Sequence, residues 1–85
     1  MGVSIVSPTD GTPVKGTVTV TLKTQSDVAF VYVFVDGVFM ASAPPLTFSW
    51  NTTKVADGGH IIQADAYNAS GELLNSAFAY VLVAN

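Results

Sequence analysis

Apolar and polar residues alternate at period two along much of this chain. The cleanest stretch is residues 16–23, where Val18, Val20 and Leu22 interleave with Thr17, Thr19, Thr21 and Lys23. That period places the apolar set on one face of a strand. No segment sustains the i, i+3, i+4, i+7 spacing of an amphipathic helix, so the pattern predicts an all-β chain. Residues 3–6 predict a first strand, ended by Ser7-Pro8-Thr9-Asp10-Gly11, where proline fixes φ and Asp-Gly tolerates the positive φ of a tight turn. Residues 29–35 form a long apolar run closed by Asp36-Gly37, and residues 38–41 follow at once. Asp-Gly between two strand patterns is a strong hairpin signal. Pro44-Pro45 then confines the next strand to about residues 46–50, because proline cannot donate to a central ladder. A loop over residues 51–59 leads to strands at 61–67 and 76–83, joined by Asn68-Ala69-Ser70-Gly71 and Glu72.

About seven short strands at near-regular spacing predict an immunoglobulin-like β-sandwich. Strands 3–6, 16–23 and 46–50 are expected in one sheet. The other holds 29–35, 61–67 and 76–83, with a short edge strand after Asp36-Gly37. The predicted core is Val3, Ile5, Val18, Val20, Leu22, Val31, Val33, Val35, Trp50, Ile62, Ala64, Ala66, Val81 and Val83. Trp50 supplies the large apolar volume that the facing valines and alanines leave empty.

Composition narrows the function. Eighty-five residues suit one small domain with a modest core and little room for a deep cleft. With no cysteine there is neither a disulfide framework nor a thiolate metal site. Three lysines and no arginine on a chain of net charge −3 argue against nucleic acid, whose phosphates require clustered cations. About half the residues are apolar, yet no run approaches the ~18 continuous apolar residues that would insert into a membrane. The first residues lead straight into strand pattern, so a secretion signal would lie outside this sequence. No repeat, low-complexity tract or linker divides residues 1–85, which are read as a single domain.

An ordered set of motifs covers nearly the whole chain: Val3-x-Ile5-x-Ser7-Pro8-x-Asp10-Gly11-x-x-Val14-x-Gly16, then Val31-x-Val33-x-Val35-Asp36-Gly37, then Trp50-Asn51-Thr52-Thr53, Asp57-Gly58-x-His60 and Ala64-x-Ala66-Tyr67-Asn68-x-x-Gly71. Together these resemble the bacterial Ig-like domains of secreted multidomain enzymes and adhesins. The resemblance implies an extracellular, non-catalytic accessory or spacer module, not an enzyme, and carries over no catalytic residue, cofactor or metal. The Cys…Trp…Cys core of the immunoglobulins proper is missing.

Individual residues admit competing readings. His60, the only histidine, stands three residues after Asp57 and could be the base of a hydrolytic triad. With no nucleophile-elbow motif, its expected role is instead to hydrogen-bond the 51–59 loop. The aspartates could ligate calcium, but they are dispersed, mostly in Asp-Gly turns. Asn51-Thr52-Thr53 and Asn68-Ala69-Ser70 match the glycosylation acceptor pattern, a coincidence in a bacterial protein.

The aromatic stripe is the informative anomaly. If Val31, Val33 and Val35 face the core, period two sends Phe30, Tyr32 and Phe34 outward. The same register puts Ala79, Val81 and Val83 inside and Phe78, Tyr80 and Leu82 outside, with Ile61, Gln63, Asp65 and Tyr67 between. Such a face would serve as a contact surface for a neighbouring domain of the parent protein, a second copy in a homo-oligomer, or a polysaccharide stacking on the rings. The plainer account is that the rings cover one another across strands as ordinary sheet stabilisation, or that one strand's register differs.

Overall fold

Each run of alternating residues forms a strand in the computed structural model, which describes residues 2–85. In chain order the strands are β1 (Val3–Ser7), β2 (Thr12–Val14), β3 (Thr17–Thr24), β4 (Phe30–Val35), β5 (Val38–Ala43), β6 (Thr47–Asn51), β7 (Gly58–Tyr67) and β8 (Leu73–Val83), with a 3-10 turn at Thr52–Lys54. They form a sandwich of two sheets, β1-β3-β6 against β2-β8-β7-β4-β5. The expected division of strands between sheets holds.

The difference is an added strand. β2 pairs in parallel with β8, Thr12 beside Val81 and Val14 beside Val83. The turn after β1 carries the chain from one sheet to the other, and it is tied down as it crosses. Gly11 N donates to the Tyr80 carbonyl at 2.6 Å, and Asp10 Oδ1 accepts from Tyr80 N at 2.7 Å. Three residues are too few to show a period, and Pro13 argues against a ladder position except at an edge, where its missing N–H is harmless. Boundaries also shift: β7 begins three residues early at Gly58 and β8 three early at Leu73, β5 runs two residues further to Ala43, and the other shifts are of one residue.

The core is built from small residues around one large one. Val20, Val31, Val33, Ile62, Ala64, Ala66 and Val81 are fully enclosed with Trp50. Ile5 and Val18, expected in the core, are only partly buried against it, while Ala43 and Ala79 are fully inside. Ile5 precedes the irregularity between Ile5 and Ser7 that loosens β1, and Val18 lies near the start of β3.

Two asparagines fasten the ends. Asn75 Oδ1 accepts from Val3 N at 2.9 Å and its Nδ2 donates to Val3 O at 3.0 Å, imitating a ladder pair across the two sheets. At the far end, Asn85 Oδ1 accepts from Gly16 N at 2.7 Å and its Nδ2 donates to Thr52 O at 3.0 Å. Val3 sits beside the start of β8 and Asn85 follows its end, so these residues occupy opposite poles of a body 40 Å long.

Candidate functional site

The outer face of the five-stranded sheet carries the features that packing leaves over. Its construction starts at the Asp36-Gly37 turn. Both residues have positive φ, 52° and 80°, the combination that a two-residue type I′ hairpin requires. Val35 therefore pairs with Val38, and Phe34 with Phe39. With Val31, Val33 and Val35 buried, Phe30, Tyr32 and Phe34 turn outward and meet Phe39 from β5 and Tyr67 from β7. Phe30 stacks on Tyr67 with ring centroids 5.1 Å apart, and Tyr32 lies 5.4 Å from Tyr67 and edge-on to Phe39 at 5.9 Å. These spacings suit favourable offset and edge-to-face ring contacts.

A polar island follows across the sheet. Asp65 Oδ1 accepts from Gln63 Nε2 at 2.9 Å and from Ser76 Oγ at 2.7 Å. Register sets Asp65 between Tyr32 and Ser76, and Gln63 between Phe34 and Phe78. Beyond it lies an uncovered apolar group: Ile61, Phe78, Tyr80 and Leu82 are 46%, 61%, 44% and 41% exposed. The Tyr80 ring lies across Gly59, where a Cβ would stand 2.2 Å from its hydroxyl, so a side chain there would push the ring aside.

Each residue of the expected face thus lies where alternation puts it, but the face has two halves. Phe30, Phe34, Gln63 and Tyr67 are half-buried by mutual contact, with Tyr32 more open, as ordinary cross-strand cover would have it. Ile61, Phe78, Tyr80 and Leu82 have no such cover. Phe39 also belongs to the face and was not anticipated. The two-residue hairpin was the available signal, since it places Phe39 opposite Phe34.

His60 holds a loop. Its Nδ1 meets Asp36 Oδ2 and its Nε2 lies 2.7 Å from the Ala56 carbonyl, while Asp36 Oδ1 accepts from Ile61 N at 3.0 Å. The expected attachment to the 51–59 loop is therefore the Ala56 bond, but the carboxylate partner is Asp36 and not Asp57, which accepts from Asn85 N at 3.1 Å. Two acceptors facing one ring favour the imidazolium, which alone can donate to both. The Ala56 carbonyl first and Asp36 next raise the His60 pKa above its ordinary 6.5, against desolvation. For Asp36, desolvation pushes upward but is outweighed by the bonds from His60 and Ile61 and by the His60 charge, and the net shift is downward. Both ring nitrogens are occupied, and neither faces a serine hydroxyl.

Other candidate residues have turn work. Asn51 Oδ1 caps the 3-10 turn by accepting from Thr53 N, and Asn68 Oδ1 accepts from Ser70 N and Glu72 N. Among the described residues, no three metal-ligating side chains converge. An apolar cleft of about 430 Å3 opens between β5 and β6, lined by Val35, Val38, Met40, Trp50 and Val55 with Asp36, Asn51 and Lys54 at its polar side.

A family model described as Bacterial Ig domain matches residues 2–64. The chain belongs to the bacterial Ig domain family. The likeness in three dimensions extends over nearly all of this Ig domain. It superposes on a fibronectin(III)-like module of CbhA from Clostridium thermocellum with a TM-score of 0.75 at 20% identity, covering 95% of this chain and 94% of that one. It also superposes on part of the endo-beta-1,4-mannanase from Thermotoga petrophila, TM-score 0.83 at 20% identity, covering 99% of this chain but 20% of the mannanase. An engineered protein aligns with a TM-score of 0.73 at 26% identity over 98% of this chain and 20% of its own. At such identities the likeness establishes the fold. No curated protein matches the sequence. Among the described residues no helix is long and apolar enough to cross a membrane.

Proposed function

We propose that this Ig domain is a non-catalytic accessory or spacer module of a secreted bacterial multidomain protein, docked against a neighbouring module through the outer face of its five-stranded sheet. The observation that carries this reading is the uncovered half of that face. Taking about 200 Å2 for each large side chain, the exposed fractions of Ile61, Phe78, Tyr80 and Leu82 leave on the order of 350–400 Å2 of apolar surface. That lies within the range of the largest patches on soluble monomers, which are often functional. The opposite poles of Val3 and Asn85 support the spacer role, because chain continuing from either would leave from opposite ends of the body's long axis. A non-catalytic role is supported by His60, whose ring is committed on both sides to structural partners. Placement outside the cell is supported by the family and by the occurrence of the fold within a mannanase.

The test uses the module together with its flanking modules. Phe78→Ser combined with Leu82→Ser is expected to increase the maximum dimension seen by small-angle scattering and to raise hydrogen exchange in the neighbour facing the sheet. Unchanged scattering and exchange would remove the docking reading.

Polysaccharide binding at the same face is a second reading, favoured by the Asp65–Gln63–Ser76 island set among aromatic rings, an arrangement suited to sugar hydroxyls beside stacked sugar rings. It expects retardation in polysaccharide affinity gels, lost in Tyr32→Ala or Tyr80→Ala. Free migration across a broad glycan panel would dismiss it.

A further inference from the structure

The two edges of the five-stranded sheet are guarded differently. β2 is three residues long and carries Pro13, both recognised ways of blunting an edge. β5 is six residues long, with neither proline nor charge, and the uncharged stretch around it runs from Gly37 to Thr53. Val38, Phe39 and Met40 on this edge are 64%, 55% and 42% exposed. Its composition is also graded by size: Val38-Phe39-Met40 is followed by Ala41-Ser42-Ala43.

We propose that β5 is the seam of a homodimer, pairing antiparallel with β5 of a second copy about a two-fold axis between Met40 and Ala41. In that register Val38 faces the second copy's Ala43, Phe39 its Ser42, and Met40 its Ala41. Large meets small at every step. The sidedness agrees as well, since facing residues of an antiparallel pair project to the same face. Phe39 and Ser42 both lie outward, beside Phe34 and Tyr32, while Val38, Ala41 and Ala43 lie inward, beside Val35, Val33 and Val31. The irregularity at Met40 sits next to the axis, so the kink it introduces meets its own copy symmetrically.

A second copy fits this edge better than an arbitrary strand for two reasons. A two-fold contact brings each residue near its own copy, so on a chain of net charge −3 an uncharged strand escapes the like-charge repulsion other segments would meet. An unrelated strand, moreover, would have no reason to offer small residues opposite 38–40 and large ones opposite 41–43. Pairing would also cover the side of the apolar cleft that Val38 and Met40 line. The contact belongs to the small, weak class of interfaces, so association should appear at high protein concentration.

The cysteine-free chain makes the register directly measurable. Phe39→Cys and Ser42→Cys, both at exposed positions, are prepared as separate proteins, mixed one to one at about 1 mM and oxidised; that concentration suits an interface of this weak class. The mixture is expected to give several-fold more disulfide-linked dimer than either variant alone, because like positions lie about 10 Å apart along the seam at ~3.3 Å per residue. A mixture that cross-links no better than the single variants overturns the proposal, as does a clean monomer of the unaltered chain by sedimentation at the same concentration. Adding Phe78→Ser to both variants separates this seam from docking of the outer face. Unchanged cross-linking supports the edge, and its loss assigns the contact to the face and overturns the seam.

Discussion

The two faces of the five-stranded sheet invert the usual distribution of side-chain size. Inward it presents Val31, Val33, Ile62, Ala64, Ala66, Ala79 and Val81, nearly all small; outward it presents Phe30, Tyr32, Phe34, Tyr67, Phe78 and Tyr80. Apart from the Asp65–Gln63–Ser76 island both faces are largely apolar, so hydrophobicity does little to tell them apart. What separates them is a partner: the inner face meets β1, β3 and β6 with Trp50 filling the space between, while the outer face meets only itself. The lesson is that an interior can be tightly filled by small residues if one large side chain plugs it, leaving the bulkiest surface free for contact.

The sharpest way to break this contrast is Trp50→Ala. Removing the one aromatic residue of a core otherwise made of aliphatic side chains is expected to destabilise the domain by about 3–5 kcal/mol, enough to unfold much of the population, as read by chemical denaturation. A loss under 1 kcal/mol would mean that Trp50 is not the plug. Ala64→Leu probes the same interior from the opposite direction. Ala64 is fully enclosed between Val33 and Ala77 in the sheet, and the added methylenes are expected to destabilise by about 1–3 kcal/mol through overpacking.

Titration distinguishes the hairpin latch from both faces. The raised His60 pKa gives stability that is fully present below the unfolded value of 6.5 and lost as pH rises through the folded value. The lowered Asp36 pKa gives stability present above 3.8 and lost as pH falls through its folded value. Melting temperature is therefore expected to be highest between these limits and to fall toward alkaline pH, with His60→Gln flattening the alkaline fall. An unchanged slope in that variant would show that the latch contributes no pH dependence. The smallest effect is expected outside. Phe78→Ser should alter stability by no more than about 0.5 kcal/mol, as for surface substitutions away from special features, while reducing hydrophobic dye binding. A large loss of stability would mean that this ring packs more than its 61% exposure indicates.

Much of the candidate face was legible because a strand's side chains alternate strictly. Once Val31, Val33 and Val35 are assigned inward, Phe30, Tyr32 and Phe34 have no other place to go. Phe39 was within reach through the Asp36-Gly37 turn, whose two residues dictate the pairing on either side. The Asp36–His60 contact was not, because it joins residues 24 positions apart that meet only when β7 aligns with β4. Nor was β2, whose three residues become a strand only because β8 lies alongside. Ile5 and Val18 show the limit of alternation for burial: period fixes the side toward which a residue points, but neighbours decide how completely it is covered.

The chain's own pattern thus determined that it would be all-β, where its principal strands lie, and which residues share a face, because these follow from local geometry and turn chemistry. Strand order, the crossover that makes β2, the asparagine fastenings and the unequal cover of the outer rings were decided only in the assembled sandwich. They depend on contacts between segments far apart in sequence, which no local period encodes.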